Sequence, residues 1–270
     1  MNKVALITGG SSGIGSATAR ELIKAGFIVY AAARRIDKME SLKKEGIKPI
    51  SLDLTNEESI ENCVNTILRE AGRIDVLVNN AGYGSYGAIE DVPMEEAKRQ
   101  FEVNVFGMAR LIQLVTPTMR KNKYGKIINI SSMGGKIWTK FGGWYHATKF
   151  AVEGLSDCLR MELAPFGIDV VVVEPGGIKT EWGIIAANNL KKTSQGGAYE
   201  TLANEAADGM IKVYSGKLTE PEKIAKVIKK AVIAKRPKTR YLTGFMAKPM
   251  VFTQKVFGDR VYDWVIKNFS

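Results

Sequence analysis

A single-domain α/β fold, a doubly wound parallel sheet with helices on both faces, is what this sequence predicts. Short apolar segments alternate with helical patterns along the chain, and a glycine-rich turn separates the first apolar segment from the first helix. Continuously apolar strands belong to parallel sheets that are covered on both faces. Right-handed crossovers then favour the doubly wound arrangement. The 270 residues, 45% of them hydrophobic, are enough for one such domain over residues 1–270.

The predicted elements follow one another regularly. Strands are predicted at VALIT (4–8), FIVYAAA (27–33), KPISLDL (48–54), IDVLVNNAG (74–82), GKIINISS (125–132), IDVVVVEPGG (168–177) and RYLTG (240–244). Helices are predicted after the glycine turn and over 37–45, 56–71, 94–121, 144–165 and 221–235. Sheets of this kind bind ligands beyond the carboxyl ends of their strands, so motifs at those ends are the candidate site.

Composition narrows the class of protein. The formal net charge of +11 suits an anionic small molecule, nucleic acid or anionic lipid, and does not choose among them. Cys63 and Cys158 lie far apart, outside any CxxC or Cys/His cluster, which argues against structural zinc and fits a reducing compartment. The N-terminal apolar residues fit a strand better than a signal peptide, and no apolar run is long enough to span a membrane. A cytoplasmic protein is therefore predicted.

The segment TGGSSGIG (8–15) follows the first strand and opens a helix. Gly9, Gly13 and Gly15 permit a tight turn and a close approach of backbone to a pyrophosphate, and the helix supplies free N–H groups. A nucleotide triphosphate loop would place lysine after the last glycine, where this chain has Ser16. The turn therefore predicts a dinucleotide site.

The end of the second strand indicates which dinucleotide binds. An NAD site usually places an acid there to hold the ribose hydroxyls, but this chain reads Ala33-Arg34-Arg35, and its first acid is Asp37. A guanidinium suits the 2′-phosphate of NADP. The alternative is a pair of solvated surface arginines, and we favour NADP(H).

The segment WYHATKF (144–150) sets Tyr145 and Lys149 four positions apart, on one face of a helix. A free tyrosine has a pKa near 10, and an ammonium about 5 Å away would favour phenolate by roughly 3 kcal/mol. The sequence therefore predicts a lowered pKa for Tyr145, suited to acid–base work. The alternative is a core tyrosine beside a solvated lysine. His146 points about 100° away from Tyr145, so we assign it a structural role.

Four further motifs complete a pattern: NNAG (79–82), VNV (103–105), NISS (129–132) and EPGG (174–177). In this order, with TGGSSGIG and YHATK, they resemble the short-chain dehydrogenase/reductase family over residues 1–180, and in particular its hydroxysteroid dehydrogenase and carbonyl reductase members. The resemblance implies a Rossmann-type fold, assembly as a homodimer or homotetramer, and no metal.

The resemblance also implies roles for individual residues. Tyr145 would be the catalytic acid or base, Lys149 its partner, Ser132 the group that holds the substrate oxygen, and Asn104 the holder of a relay water. The cofactor-binding set would be Gly9, Ser11, Ser12, Gly13, Ile14, Gly15, Arg34, Arg35, Asp53, Leu54, Asn80, Ala81, Gly82, Tyr145, Lys149, Pro175, Gly176, Ile178 and Thr180.

The substrate end is predicted to be apolar. Residues 181–219, the lid region in this family, and the segment before Tyr145 are rich in aromatic residues, and Trp138 and Trp182 join Ser132 and Tyr145 as substrate contacts. This composition predicts a lipophilic alcohol or ketone, for which hydroxysteroids, retinoids and acyl-chain ketones are the family's candidates. Packing of the lid alone, a small polar ketone or sugar, and a non-catalytic NADP-sensing or scaffold protein remain the alternatives.

The C-terminal part of the chain is basic. Residues 235–270 hold eight Lys or Arg against two acids, a net charge of +6, interleaved with apolar residues. The extension over 245–270 could contact an anionic membrane peripherally, pack on the domain or close an oligomer contact. No nucleic-acid recognition motif is present, so binding to nucleic acid is not predicted.

Overall fold

A seven-stranded parallel sheet forms the centre of the molecule. In a computed structural model, which describes residues 2–269, the sheet has the order β3-β2-β1-β4-β5-β6-β7. The strands are β1 (Val4–Thr8), β2 (Ile28–Ala33), β3 (Lys48–Ser51), β4 (Val76–Asn79), β5 (Gly125–Ile130), β6 (Ile168–Pro175) and β7 (Arg240–Thr243). The order reverses between β1 and β4, which creates a crevice at their carboxyl ends. The predicted fold class is confirmed.

Helices cover both faces of the sheet. They are α1 (Gly13–Lys24), α2 (Glu40–Lys44), α3 (Glu57–Ala71), α4 (Met94–Phe101), α5 (Gly107–Lys121), α6 (Gly143–Leu163), α7 (Trp182–Ser194), α8 (Glu200–Tyr214), α9 (Pro221–Ile233) and α10 (Ala247–Phe269). One core cluster joins the sheet to α3, α5 and α6. A second joins the opposite face to α1, α2 and α9. Alternate strand residues feed the two clusters, which explains why the strands read as unbroken apolar runs.

The predicted elements differ from the observed ones mainly at their ends. β3 ends at Ser51 and β4 at Asn79, short of the predicted residues 54 and 82. The residues beyond these ends turn into the crevice, where Asn80 bonds to the β1 end instead of continuing a ladder. The long helix predicted over 94–121 is interrupted by a π-helical turn, Glu102–Phe106, at the centre of which lies Asn104. Such turns occur often at functional sites.

Two regions that the sequence left open are helical. The lid region folds into α7 and α8, which pack closely because Gly183 leaves room for the ring of Tyr214. The C-terminal extension forms α10, which bends at Gly258, where φ is 74°. Among residues 2–269, no helix combines the length and apolarity needed to cross a bilayer.

Candidate active site

The glycine turn after β1 is built for close backbone contact. Gly9 has a φ of 65°, which favours glycine, and a Cβ at Gly15 would lie 2.2 Å from the carbonyl oxygen of Gly9. The side chain of Asn80 donates to the carbonyl oxygen of Thr8 at 2.9 Å, which fixes the turn against the end of β4. At Ser12, the N-cap of α1, no side chain caps the helix, so its first N–H groups face the cleft.

A large cleft of about 1140 Å³ runs along the carboxyl ends of the strands. It brings together nearly all the residues that the sequence assigned to cofactor and substrate. Those that line it are Gly9, Ser11, Ser12, Gly13, Ile14, Arg34, Arg35, Asp53, Leu54, Asn80, Ala81, Gly82, Ser132, Tyr145, Lys149, Pro175, Gly176, Ile178, Thr180 and Trp182. Gly15 lies behind the turn, and Asn104 and Trp138 lie outside the lining.

Positive charge gathers at one end of the cleft. Arg34 and Arg35 line it after β2, and Arg99 reaches it from α4. Burial acts to raise the pKa of Asp53, but hydrogen bonds from Thr55 and the charges of Arg34 and Arg99 outweigh it and hold that pKa below its usual range. Sequence reasoning missed Arg99, because its helix is remote along the chain from the other two arginines.

The residues present fit a dinucleotide with a 2′-phosphate. The open start of α1 suits a pyrophosphate, and guanidinium groups, rather than an acid, stand at the end of β2. Within residues 2–269, no group of three or more His, Cys, Asp and Glu side chains is arranged to hold a metal ion.

The pKa of Tyr145 corrects the sequence argument. Burial raises the pKa of the phenol to about 12, and a hydrogen bond with Ser132 lowers it by less. The predicted lowering by Lys149 is therefore wrong for this structure. The lysine Nζ lies 5.8 Å from the centre of the tyrosine ring, and loss of solvation has the largest effect on the pKa of the phenol.

Lys149 is anchored beneath the phenol. Its Nζ donates to the carbonyl oxygen of Ile130 at 3.0 Å, at the end of β5. Burial lowers the pKa of Lys149 to about 8, while the carboxylate of Glu153 acts to raise it. Ser132, just after β5, has its Oγ held by the N–H of Gly134 at 3.0 Å. A hydroxyl, a phenol and an ammonium thus meet at one point of the cleft.

Asn104 lies directly behind this group. Its Nδ2 donates to the carbonyl of Tyr83 at 2.8 Å and to Thr148 Oγ1 at 3.1 Å, and its Oδ1 accepts from Tyr83 N at 3.1 Å. The amide nitrogen therefore donates two hydrogen bonds, and the amide oxygen accepts one. Asn104 and Lys149 flank Gly82, where a Cβ would lie 3.0 Å from the asparagine Oδ1 and 3.8 Å from the lysine Nζ.

The ring of His146 links the loop after Ser132 to α6. Nε2 accepts from the N–H of Thr139 at 3.0 Å, which requires Nδ1 to carry the proton in its 2.9 Å contact with the carbonyl of Gly134. Burial lowers the pKa of this imidazole, against the opposing bond to Gly134. The neutral ring thus connects the loop to the helix through two hydrogen bonds, in agreement with a structural role.

Aromatic rings form the wall above Tyr145. Its ring centre lies 5.0 Å from that of Trp182 and 5.9 Å from that of Tyr86. Tyr214 stands 6.3 Å beyond Trp182. Sequence reasoning did not find Tyr86, which is on a loop without a motif. Of the other apolar lid residues, Ile184, Ile185 and Leu202 are all exposed, and of these three only Ile185 lines the cleft.

Trp138 contradicts its predicted place in the substrate site. Its ring packs on Tyr262 of α10, with the ring centres 5.2 Å apart, and its Nε1 donates to Asp263 at 2.8 Å. These contacts turn the side chain away from the cleft. Spacing from Tyr145 could not reveal this, because the partner lies more than a hundred residues later.

The fold and cleft together define a dinucleotide-binding oxidoreductase of the doubly wound class. Residues 3–191 match the family described as short chain dehydrogenase. The chain belongs to the short-chain dehydrogenase/reductase family.

Relatives extend over nearly the whole chain. The 3-ketodihydrosphingosine reductase of Bacteroides thetaiotaomicron is 39% identical over 90% of this chain and 88% of its own. The NADPH-dependent 3-dehydrocapnine reductase of Ornithobacterium rhinotracheale is 34% identical over 97% of this chain and 95% of its own. A short-chain dehydrogenase from Streptomyces avermitilis has a similar solved structure, with a TM-score of 0.83, 34% identity and coverage of 99% and 96% of the two chains.

Proposed function

We propose that this protein is an NADPH-dependent reductase that converts a ketone on a lipophilic substrate into a secondary alcohol, and that can run the reverse oxidation. The observation that carries the proposal is the meeting of Ser132, Tyr145 and Lys149 under an aromatic wall in the cleft. The cofactor, when bound, supplies the hydride. The chain supplies the position of the ketone and the proton.

Each proposed catalytic residue has a distinct task. Ser132 donates to the ketone oxygen, where negative charge develops during reduction. Tyr145, protonated at neutral pH because burial raises its pKa to about 12, gives its proton to that oxygen. Lys149 keeps positive charge near the phenol as the proton leaves. Asn104 would hold a relay water next to Lys149 through an oxygen atom, because its amide nitrogen already donates to two other groups.

The cofactor assignment is supported by the arginine cluster. Arg34 is placed to pair with a 2′-phosphate, with Arg35 and Arg99 beside it. The name of the Ornithobacterium relative also specifies NADPH.

The substrate class is supported by the wall of the cleft. Tyr86, Trp182, Ile185 and Tyr214 offer apolar surface next to the proposed proton donor. Both relatives are named as reductases, one of a keto form of a sphingosine-type lipid. We propose a ketone on a long acyl or similarly lipophilic chain, with α7 and α8 serving as its lid.

The test compares ketones of graded polarity. NADPH consumption is measured with four substrates: a 3-ketone on a short acyl chain, a 3-ketone on a long acyl chain, a small polar ketone and a sugar. We expect kcat/KM to rise with chain length, since buried CH₂ groups contribute about 0.8 kcal/mol each. Tyr145→Phe should lose roughly a hundred- to ten-thousand-fold in kcat while NADPH affinity changes by only a few-fold. Tyr124→Phe, the same change outside the cleft, is the matched control.

Three outcomes would contradict the proposal. Preference for the polar ketone or the sugar would move the substrate class to small polar carbonyls. Binding of NADPH without turnover on any ketone would indicate a sensing or scaffold protein. Normal turnover in Tyr145→Phe would assign the proton to another group.

We further propose that the outer face of α10 contacts an anionic bilayer. The helix packs Tyr262 and Ile266 onto the segment after Ser132. On its other side it exposes Phe252, Val256, Phe257 and Val261 to 60%, 56%, 58% and 42%. Exposed cations accompany them at Lys248, Lys255, Arg260 and Lys267. Aromatic residues among long basic side chains suit the interface of a membrane with negative headgroups.

Sedimentation with vesicles tests this contact. Binding should require phosphatidylserine and weaken with salt, since each cation near an anionic surface contributes about 1 kcal/mol. Replacing Phe252 and Phe257 by Ser should weaken binding about ten-fold or more, whereas Phe166→Ser, at an exposed Phe elsewhere, should not. The proposal is overturned if the protein binds neutral vesicles as well as it binds anionic ones, or if it binds neither kind. A loss of oligomer mass in the double variant would assign the face to self-association.

A further inference from the structure

Two carboxyl groups are buried together behind the proposed catalytic lysine. Glu153, one turn after Lys149 on α6, is 4% exposed, and Glu174, on β6, is 3% exposed. Lys136 Nζ lies 2.9 Å from Glu153 Oε2 and 3.8 Å from Glu174 Oε1. The guanidinium of Arg240 lies 3.1 Å from Glu153 Oε2 and 3.4 Å from Glu174 Oε1. Two acids therefore face each other between two cations.

The hydrogen bonding of the pair is incomplete if both carboxyls are ionised. Oε1 of Glu153 and Oε1 of Glu174 are both buried without a hydrogen-bond partner among the described residues. A buried oxygen that lacks a donor destabilises the folded state, and more so when it is charged. A single proton between the two side chains satisfies both atoms at once and removes the repulsion of like charges.

The electrostatics agree with this reading. Burial, followed by the charge of Glu153, raises the pKa of Glu174 to about 7, despite the opposing charges of Lys136 and Arg240. The charged groups that face the pair come from α6, β7 and the segment after β5, and they are Lys136, Lys149, Asp157, Arg160 and Arg240.

Three members of this cluster lie next to residues of the proposed site. Glu174 immediately precedes Pro175, which lines the cleft. Lys136 is in the short turn that holds the Oγ of Ser132. A Cβ at Gly135 would lie 3.0 Å from both the Cγ of Glu153 and the carbonyl oxygen of Lys149. The turn after Ser132 therefore packs tightly against α6. A change in the charge of Glu153 and Glu174 would therefore affect the segments that hold Ser132, Lys149 and Pro175.

We propose that Glu153 and Glu174 share one proton and, in that form, act as positioning residues that hold Ser132 and Lys149 in place. Loss of the proton leaves two buried carboxylates in contact and loosens the packing of β6 against α6. The activity part of this inference rests on the proposed reductase function, whereas its stability part does not.

The direction of the pH effect follows from the raised pKa. In the unfolded chain Glu174 titrates near the ordinary value of 4.5, and in the folded protein at about 7. The stabilising contribution of the bound proton is full below the lower value and is lost as the pH rises through the higher one. The unfolding equilibrium should shift roughly a hundred-fold over that window, relative to a protein without this group.

The experiment compares Glu174→Gln with wild type. Glutamine can donate to Glu153 at every pH and does not ionise. The thermal midpoint of wild type should fall relative to that of the variant as the pH rises from about 4.5 through about 7. Glu162→Gln, an exposed acid on the same helix, should follow wild type. With a ketone that is turned over, kcat/KM of wild type should fall above pH 7, and that of Glu174→Gln should fall less.

Infrared spectroscopy of wild type tests the shared proton even if the Glu174→Gln variant does not fold. At about pH 6, where solvated carboxyls are ionised, a protonated carboxyl band should remain and disappear by about pH 8.5. Absence of that band, or an unchanged pH profile of the midpoint in Glu174→Gln, overturns the shared proton. A stability profile as expected with no turnover on any ketone would instead contradict only the reductase proposal.

Discussion

Tyr145 illustrates how burial and hydrogen bonding compete at one residue. Loss of solvation is the largest influence on the phenol and raises its pKa to about 12, while a hydrogen bond with Ser132 acts to lower it. Burial also lowers the pKa of Lys149, to about 8. A phenol that keeps its proton at neutral pH can serve as a proton donor.

Arg34 carries the proposed choice of NADPH over NADH. Charge-assisted hydrogen bonds contribute roughly 1.5–3 kcal/mol, so Arg34→Ala should weaken NADPH by about ten- to a hundred-fold and hardly affect NADH. Arg35 and Arg99 remain in the variant, and if they partly replace Arg34 the loss will be nearer ten-fold. The measurement is the ratio of kcat/KM for the two cofactors at fixed salt.

The control for Arg34 is Arg69→Ala, at an arginine on α3 outside the cleft. It should leave the ratio unchanged. If wild type already prefers NADH, or Arg34→Ala weakens both cofactors alike, then Arg34 does not bind a 2′-phosphate. Adding Ala33→Asp to Arg34→Ala should reverse the preference, because a carboxylate accepts from a ribose hydroxyl and repels a phosphate.

At the scale of elements, the sequence predicted what depends on local pattern. Continuous apolar runs such as VVVV (170–173) located the strands, because a parallel strand buries both faces. The glycine turn and the pair of Tyr145 and Lys149 were readable, because a short spacing determines their geometry. The ends of β3 and β4 were overestimated, since the residues that follow turn into the crevice instead of continuing the strand pairing.

The features that the sequence did not predict depend on contacts between segments that are distant along the chain. Tyr86 and Arg99 reach the cleft from segments without a motif, and only the packed structure brings them to it. Trp138 was misplaced because its partner, Tyr262, is on the C-terminal helix. The π-turn at Asn104 was also missed, because the helical pattern on either side of it is continuous.

At the scale of the whole molecule, sheet topology and net charge act together on the cofactor. The reversal of strand order between β1 and β4 opens the crevice at the carboxyl ends of the strands, and α1 starts there with uncapped N–H groups. The formal net charge of +11 should give the molecule a positive field. Both nicotinamide cofactors are anions, so the field should attract either of them, whereas Arg34 acts on the 2′-phosphate alone.

Salt separates these two contributions. The Debye length falls from about 30 Å at 0.01 M to about 8 Å at 0.15 M ionic strength, so kcat/KM for NADH should fall roughly two- to three-fold over that range through the field alone. NADPH carries a further phosphate of about −1.5 to −2 charges, and its kcat/KM should fall more steeply. Arg34→Ala should bring the NADPH slope close to the NADH slope and leave the NADH slope as it is. A flat NADH response would mean that the net charge does not act on the cleft, and equal slopes in wild type would mean that no specific contact recognises the 2′-phosphate.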